Sequence, residues 1–193
     1  MAKLYFRYSA MGAGKSLDLL KVAFNYIERG QRVLLFTSSL DTRHQTGMIH
    51  SRTGLEKPAI PVTKAFNIVK YLSTLTYRPD CLLFDEAQFL TREQILQMTD
   101  VVDGMNIPVI CYGLRSDFRG EPFEGSMYLM VYADTIEEMK TICHCGKKAT
   151  MNMRLQNGKP VYTGEQVMIG GNETYMPVCR KHWKEGNTGI SRP

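Results

Sequence analysis

The sequence predicts an α/β fold: a mostly parallel sheet with helices on both faces, followed by a small loop-rich module. Three observations predict it. Over the first two-thirds of the 193 residues, short apolar runs alternate with segments of helical period, the pattern of parallel strands joined by crossover helices. A glycine-rich loop, Ser9-Ala10-Met11-Gly12-Ala13-Gly14-Lys15-Ser16, joins the first such strand to the first such helix. Near Thr141 the chain becomes rich in Gly, Asn, Thr and Lys, and from there it carries three of the five cysteines.

Each element follows in order. Leu4, Phe6 and Tyr8 alternate with polar residues, as in a strand. Leu17, Leu20, Phe24 and Ile27 recur at spacings of three and four, an apolar helical stripe ended by Gly30. Residues 32–37 (RVLLFT) read as a buried strand. Residues 58–63 break the chain before a helix over 64–75. Residues 81–84 (CLLF) read as a second buried strand ending at Asp85-Glu86. Thr91, with Gln94 three residues on, forms a capping box that opens another helix. Residues 108–112 and 128–132 read as two further strands. Residues 156–173 show little periodicity and many turn formers. The boundary falls at about residue 140: residues 1–140 form the nucleotide-binding unit, and 141–193 a module that needs a staple to hold its shape.

Composition narrows the function classes. Hydrophobic residues make up 44% of the chain, and no apolar run approaches the length of a membrane span. The start, Met1-Ala2-Lys3, lacks the long apolar stretch of a signal peptide, so a cytoplasmic protein is expected. The net charge of +5 is mild and forms no basic stripe, which argues neither for nor against nucleic acid. Cysteines in a reducing compartment point to thiols or metal ligands rather than disulfides.

Four groups of residues carry chemistry. In the loop, glycine clears side chains so that backbone N–H groups can point at phosphate oxygens. Lys15 adds charge, and the Ser16 hydroxyl suits a Mg²⁺ ligand position. The helix that follows contributes its N-terminal dipole. Ser9 stands where the G-x-x-x-x-G-K-[ST] pattern has glycine. The bland alternative is a turn that only joins strand to helix. Asp85 and Glu86 project from a strand's carboxyl end, where open α/β sheets bind ligands. There, Asp85 can sit near a metal while Glu86 accepts a proton; the alternative is a pair that caps the next helix. Cys143-x-Cys145 and Cys179-x-x-His182, separated by 33 residues, suit a tetrahedral Cys₃His zinc site. His144 is a rival ligand, and unrelated thiols beside a surface histidine are the alternative. Zinc would also let a loop-rich module fold. Phe89, Phe118, Phe123 and Tyr175 fall in loop-like segments and could wall a pocket for a flat ring, against ordinary core packing. Cys81 and Cys111 lie within apolar strands and read as buried small hydrophobes.

Two rival functions fit parts of this pattern. One is a nucleic-acid-binding ATPase whose zinc module grips the polymer. The other is a nucleotide-binding regulator without catalysis, which the adjacent acidic pair disfavours.

The chain resembles the cytosolic, zinc-containing thymidine kinases. The resemblance is carried by the loop with Met11 inside it, Asp41-Thr42-Arg43 and Asp85-Glu86-Ala87-Gln88-Phe89. Gly113-Leu114-x-x-Asp117-Phe118-Arg119-Gly120-x-Pro122-Phe123 and Ile169-Gly170-Gly171-x-Glu173-x-Tyr175 complete it. It runs in order from about Lys3 to His182, and bacterial members also carry serine at the start of the loop. The resemblance implies a P-loop (RecA-like) sheet with a zinc-binding lasso that closes over the nucleoside. It implies transfer of the γ-phosphoryl group of ATP to the 5′-hydroxyl of thymidine, and also of deoxyuridine, in pyrimidine deoxynucleotide salvage. Glu86 then corresponds to the catalytic base. Residues Ser9, Ala10, Met11, Gly12, Ala13, Gly14, Lys15 and Ser16, with Asp85, Gln88 and Arg43, correspond to the ATP and phosphate site. Ser16 and Asp85 attend Mg²⁺, and Arg43 stabilises charge on the transferring group. Met11, Phe89, Leu114, Phe118, Phe123 and Tyr175 correspond to the thymidine pocket. The lasso is roughly residues 167–171, with Val167, Met168 and Gly170 at the base. Cys143, Cys145, Cys179 and His182 would hold structural zinc. A homotetramer and feedback inhibition by dTTP are implied too, with neither nucleic acid nor membrane as partner. Two features depart from many relatives: the first cysteine pair has one intervening residue instead of two, and Arg115 stands where aspartate is common.

Overall fold

The computed structural model describes residues 1–40, 46–168 and 174–189. At its centre, six strands pair in parallel. In chain order they are β1 (Leu4–Ser9), β2 (Val33–Ser38), β5 (Ile60–Val62), β6 (Cys81–Asp85), β7 (Val109–Leu114) and β8 (Thr135–Glu138). Their order across the sheet is β5-β2-β6-β7-β1-β8, so the expected mostly parallel sheet is present. Alternation along the strands assigns its two faces. Leu4, Phe6, Leu82, Phe84, Val109 and Cys111 enter one apolar cluster, beneath helices α2 (Ile68–Ser73), α3 (Arg92–Met105) and α4 (Glu124–Tyr132). Cys81, Leu83, Ile110 and Tyr112 enter a second cluster beneath α1 (Lys15–Glu28). Cys81 and Cys111 are therefore buried among apolar neighbours. The capping box forms: Thr91 accepts from the Gln94 N–H at 3.2 Å, and the Gln94 side chain accepts from the Thr91 N–H at 3.1 Å.

Three local expectations are corrected. Helix α1 rests on Leu19, Leu20 and Ala23, while Leu17, Phe24 and Ile27 of the expected stripe are exposed. Two apolar stripes share this helix, and the one bearing the small Ala23 lets it approach the sheet closely. Residues 128–132 form the second half of α4, not a strand. The run from Met127 to Tyr132 is apolar throughout, so it has no period to read, and the adjacent edge of β1 is taken instead by residues 135–138. Residues 58–63 do not simply break the chain. They close β4 (Glu56–Pro58), which forms a hairpin with β3 (Met48–His50), and supply the edge strand β5, whereas α2 is shorter than the expected 64–75.

Beyond the large sheet lies a small antiparallel one of order β10-β9-β11, formed by β9 (Met151–Gln156), β10 (Lys159–Val161) and β11 (Tyr175–Val178). With α5 (Arg180–Glu185) it encloses a separate cluster of Cys143, Ala149, Met153, Val178 and Cys179. Hydrogen bonds dock this unit on the carboxyl ends of the large sheet's strands, two of them from its sheet and its helix. The Asn152 Oδ1 accepts from the Met11 N–H at 2.8 Å, and the Trp183 indole N–H donates to the Phe118 carbonyl at 2.9 Å.

Candidate functional site

The loop between β1 and α1 wraps the start of the helix. Gly12 and Gly14 adopt the left-handed conformation, with φ of 76° and 78°, which an L side chain would strain. The Lys15 ammonium folds back and donates to the Ser9 hydroxyl at 3.0 Å, with the Ala10 carbonyl at 3.5 Å. Serine at the first loop position thus has a use that glycine lacks: its oxygen receives the lysine. Ser9 and Ala10 are buried beneath the loop, and residues 11–16 face a cavity.

The acidic pair stands directly opposite. The Ser16 hydroxyl donates to Asp85 Oδ2 at 2.7 Å. Burial, and then the Glu86 carboxylate, push the Asp85 carboxyl up to about 7, against the opposing pull of Ser16 and Lys15. A buried carboxylate and hydroxyl beside an ammonium form an all-oxygen donor set of the kind Mg²⁺ takes. Glu86 is held with φ 52° and ψ 38°, a conformation costly for a residue with a side chain and common at functional positions. The 3-10 turn Ala87–Phe89 follows it. Gln88 donates to the Glu86 carboxylate from its amide nitrogen and accepts from the Leu114 N–H at 3.1 Å. Buried at 1% exposure, Gln88 addresses Glu86 and β7, and among the described residues none of its hydrogen bonds reaches the glycine-rich loop.

The cavity has a volume of about 700 Å³, within the usual range for small-molecule sites. Its lining includes loop residues 11–16, Asp85 and Glu86, and also Phe89, Leu114, Phe118, Phe123, Val167, Met168 and Tyr175. The aromatic residues meet as walls: Phe89 and Phe123 pack edge to face at 5.6 Å. Arg43 and Gly170 lie outside the described residues, as do their neighbours in residues 41–45 and 169–173.

Four further residues organise the cavity. Arg154 is buried, with its guanidinium 3.6 Å from the Phe118 ring centre, and it donates to the Tyr175 hydroxyl at 2.9 and 2.6 Å. That hydroxyl in turn donates to the Met168 carbonyl at 2.9 Å. Asp117 accepts from the N–H groups of Arg119 and Glu121, from the Arg119 guanidinium and from Gln166. Asn152 joins Met11 to the Ser116 carbonyl. Asp117 was visible as part of a motif without an assigned role. Arg154, Asn152 and Gln166 carry no local signal, because their partners come from distant segments.

The second cluster is Cys143, Cys145, Cys179 and His182, whose ligand atoms all lie within 4.8 Å of one another. Three thiols and an imidazole at that spacing suit tetrahedral zinc, and the short Cys143-x-Cys145 pair does not prevent their convergence. His144 lies outside this quartet but does not turn away from it. Its ring stacks on His182, with centres 4.4 Å apart.

Comparison with known proteins agrees with this geometry. A family model described as thymidine kinase matches residues 2–183. A thymidine kinase of Legionella pneumophila (strain Lens) is 55% identical, covering all of this chain and 94% of its own. A thymidine kinase of Listeria innocua is also 55% identical, over 94% of this chain and 96% of its own. One of Lactococcus lactis is 54% identical, over 95% and 97%.

Proposed function

The chain belongs to the thymidine kinase family, and from that premise we propose that it transfers the γ-phosphoryl group of ATP to the 5′-hydroxyl of thymidine, giving dTMP and ADP. The observation that carries this reading is that one cavity is lined both by a phosphate-type loop bonded to an acidic pair and by apolar and aromatic side chains. ATP lays its phosphates along residues 11–16, and the thymine ring enters between Phe118, Phe123 and Tyr175. Backbone groups of the segment after Val167 can pair with the polar edge of the base. The 5′-oxygen then forms a bond to the γ-phosphorus as the bond to the β,γ-bridging oxygen breaks. ADP takes that electron pair, and the hydroxyl proton passes to Glu86. Gln88 orients the Glu86 carboxylate, and Lys15 offsets phosphate charge. Ser16 and Asp85 would hold Mg²⁺, which supplies charge neutralisation at the phosphates when bound.

Cys143, Cys145, Cys179 and His182 would hold zinc as a staple for the 141–193 module, treated as a unit distinct from residues 1–140. Feedback by dTTP fits a ligand that offers both the base and a triphosphate to the two kinds of lining in one cavity. The homotetramer is supported by the exposed apolar residues Phe24 and Ile27 on α1 and Met127 and Val131 on α4. Five free cysteines, three of them converging on a metal site, fit a reducing cytoplasm. Among the described residues no helix is long and apolar enough to cross a membrane. The test is phosphorylation of thymidine, deoxyuridine and the purine deoxynucleosides by MgATP, with metal content measured on the same sample. Phosphorylation confined to the pyrimidines, with about one zinc per chain, is expected. ATP hydrolysis without a nucleoside product would overturn the reading.

A further inference from the structure

The hairpin of β3 and β4 has no part in the reaction described above, yet its tip reaches the glycine-rich loop. Ile49 anchors it, fully buried in the core beneath α1. The tip is ordered by its own bonds. The Ser51 N–H donates to the Leu55 carbonyl at 2.8 Å, the Gly54 N–H to the Ser51 carbonyl at 3.0 Å, and the Ser51 and Thr53 hydroxyls pair at 2.8 Å. This turn presents Arg52 to the cavity, where it joins the lining beside Gly12 and Lys15. The Arg52 Nη1 lies 3.5 Å from the place a Cβ on Gly12 would occupy. Among the described residues Arg52 has no hydrogen bond or ion pair. Its guanidinium therefore stands over the loop with its donors uncommitted, whereas Arg7 and Arg119 are each tied to a carboxylate.

We infer that Arg52 is a further catalytic arginine, additional to the Arg43 that the resemblance implies, and that its guanidinium binds the oxygens of the phosphoryl group while it moves from ATP to the 5′-hydroxyl. The inference rests on the kinase reading above. As the bond to the β,γ-bridging oxygen breaks, negative charge spreads over the equatorial oxygens and the leaving ADP. A planar fork of N–H donors matches those oxygens better than an ammonium does. The ordered tip places it against the loop before the reaction begins. A cation that meets charge only in the transition state raises kcat with little effect on nucleoside binding.

The test uses the full-length protein with MgATP and thymidine, comparing wild type with Arg52→Ala and Arg52→Lys at matched zinc content and circular dichroism. Arg52→Ala should lose about 10³-fold or more in kcat, in line with transition-state arginines. The KM for thymidine should stay within about threefold. Added guanidinium ion should restore part of the Arg52→Ala rate and leave wild type unimproved, and Arg52→Lys should fall between the two. A kcat for Arg52→Ala within about twofold of wild type overturns the inference and leaves the kinase reading standing. So does a loss confined to the KM for ATP, or one that guanidinium does not relieve. Absence of thymidine turnover in wild type overturns the kinase reading, and this inference with it.

Discussion

Replacing Gly125 with alanine tests how Glu86 is held. Gly125 opens α4 against the 3-10 turn that follows Glu86. A Cβ there would sit 2.2 Å from the Ala87 carbonyl oxygen, 2.9 Å from that of Leu90 and 3.0 Å from that of Gln88. All three neighbours are backbone, so no flexible side chain can swing aside, and helix and turn must part by most of an ångström. Overpacking of this kind costs about 1–3 kcal/mol, which outweighs the gain of about 1 kcal/mol for alanine over glycine inside a helix. The displacement falls on the turn next to Glu86, and misplacing a catalytic group by about 1 Å can cost 10²-fold in rate. Gly104 in α3 is the matched control. It is exposed, with nothing within 4 Å of its Cβ position, so Gly104→Ala should stabilise by about 0.5–1 kcal/mol. Urea unfolding and thymidine turnover, measured on both variants, should move in opposite directions for stability and fall in turnover only for Gly125→Ala. A Gly125→Ala protein at least as stable as wild type, with turnover intact, would refute the packing argument.

The remaining predictions concern the loop, the staple and the acidic pair. Asn152→Ala leaves the buried Met11 N–H and Ser116 carbonyl without their partner. It should cost about 1–3 kcal/mol of stability in urea unfolding and raise the KM for both substrates; an effect on neither would remove Asn152 as the tie between loop and module. Cys179→Ala should lower zinc content and raise the thymidine KM more than the ATP KM, and retention of full zinc would contradict the quartet. The Asp85 carboxyl is raised from 3.8 to about 7 by burial and Glu86. Its contribution to stability is therefore complete below about pH 4 and lost as pH rises through about 7. With MgATP, Asp85→Asn should be inactive, yet without metal it should gain melting temperature relative to wild type as pH goes from 5 to 8; a pH-independent difference would sink that assignment.

How far the sequence could be read depended on whether partners lie close along the chain. Ser9 to Ser16 and Asp85-Glu86 are contiguous, and the backbone conformation they need is local, so loop and acidic pair stood out. The Cys₃His quartet was legible because each half of it is a short spacing pattern. The run from Met127 to Tyr132 misled because it is apolar at every position; the start of the helix is held by contacts far along the chain, Gly125 against the backbone of Ala87, Gln88 and Leu90 and the Ser126 hydroxyl donating to the Leu114 carbonyl. Arg154 and Asn152 were invisible for a related reason. Both lie in β9, where polar residues alternate with apolar ones as on any half-exposed strand, and the Asn152 bond to Met11 spans 141 residues. Even α1, correctly read as a helix, showed two apolar stripes, and only the small Ala23 distinguishes the buried one.

The most direct test of Glu86 as the base is the Glu86→Gln protein, which keeps the shape of the side chain and removes its proton affinity. Single-turnover transfer from MgATP to thymidine should slow by about 10²-fold or more, while the Kd for each substrate stays within a few-fold of wild type and zinc content is unchanged. Transfer at near-wild-type rate in that variant would contradict the assignment.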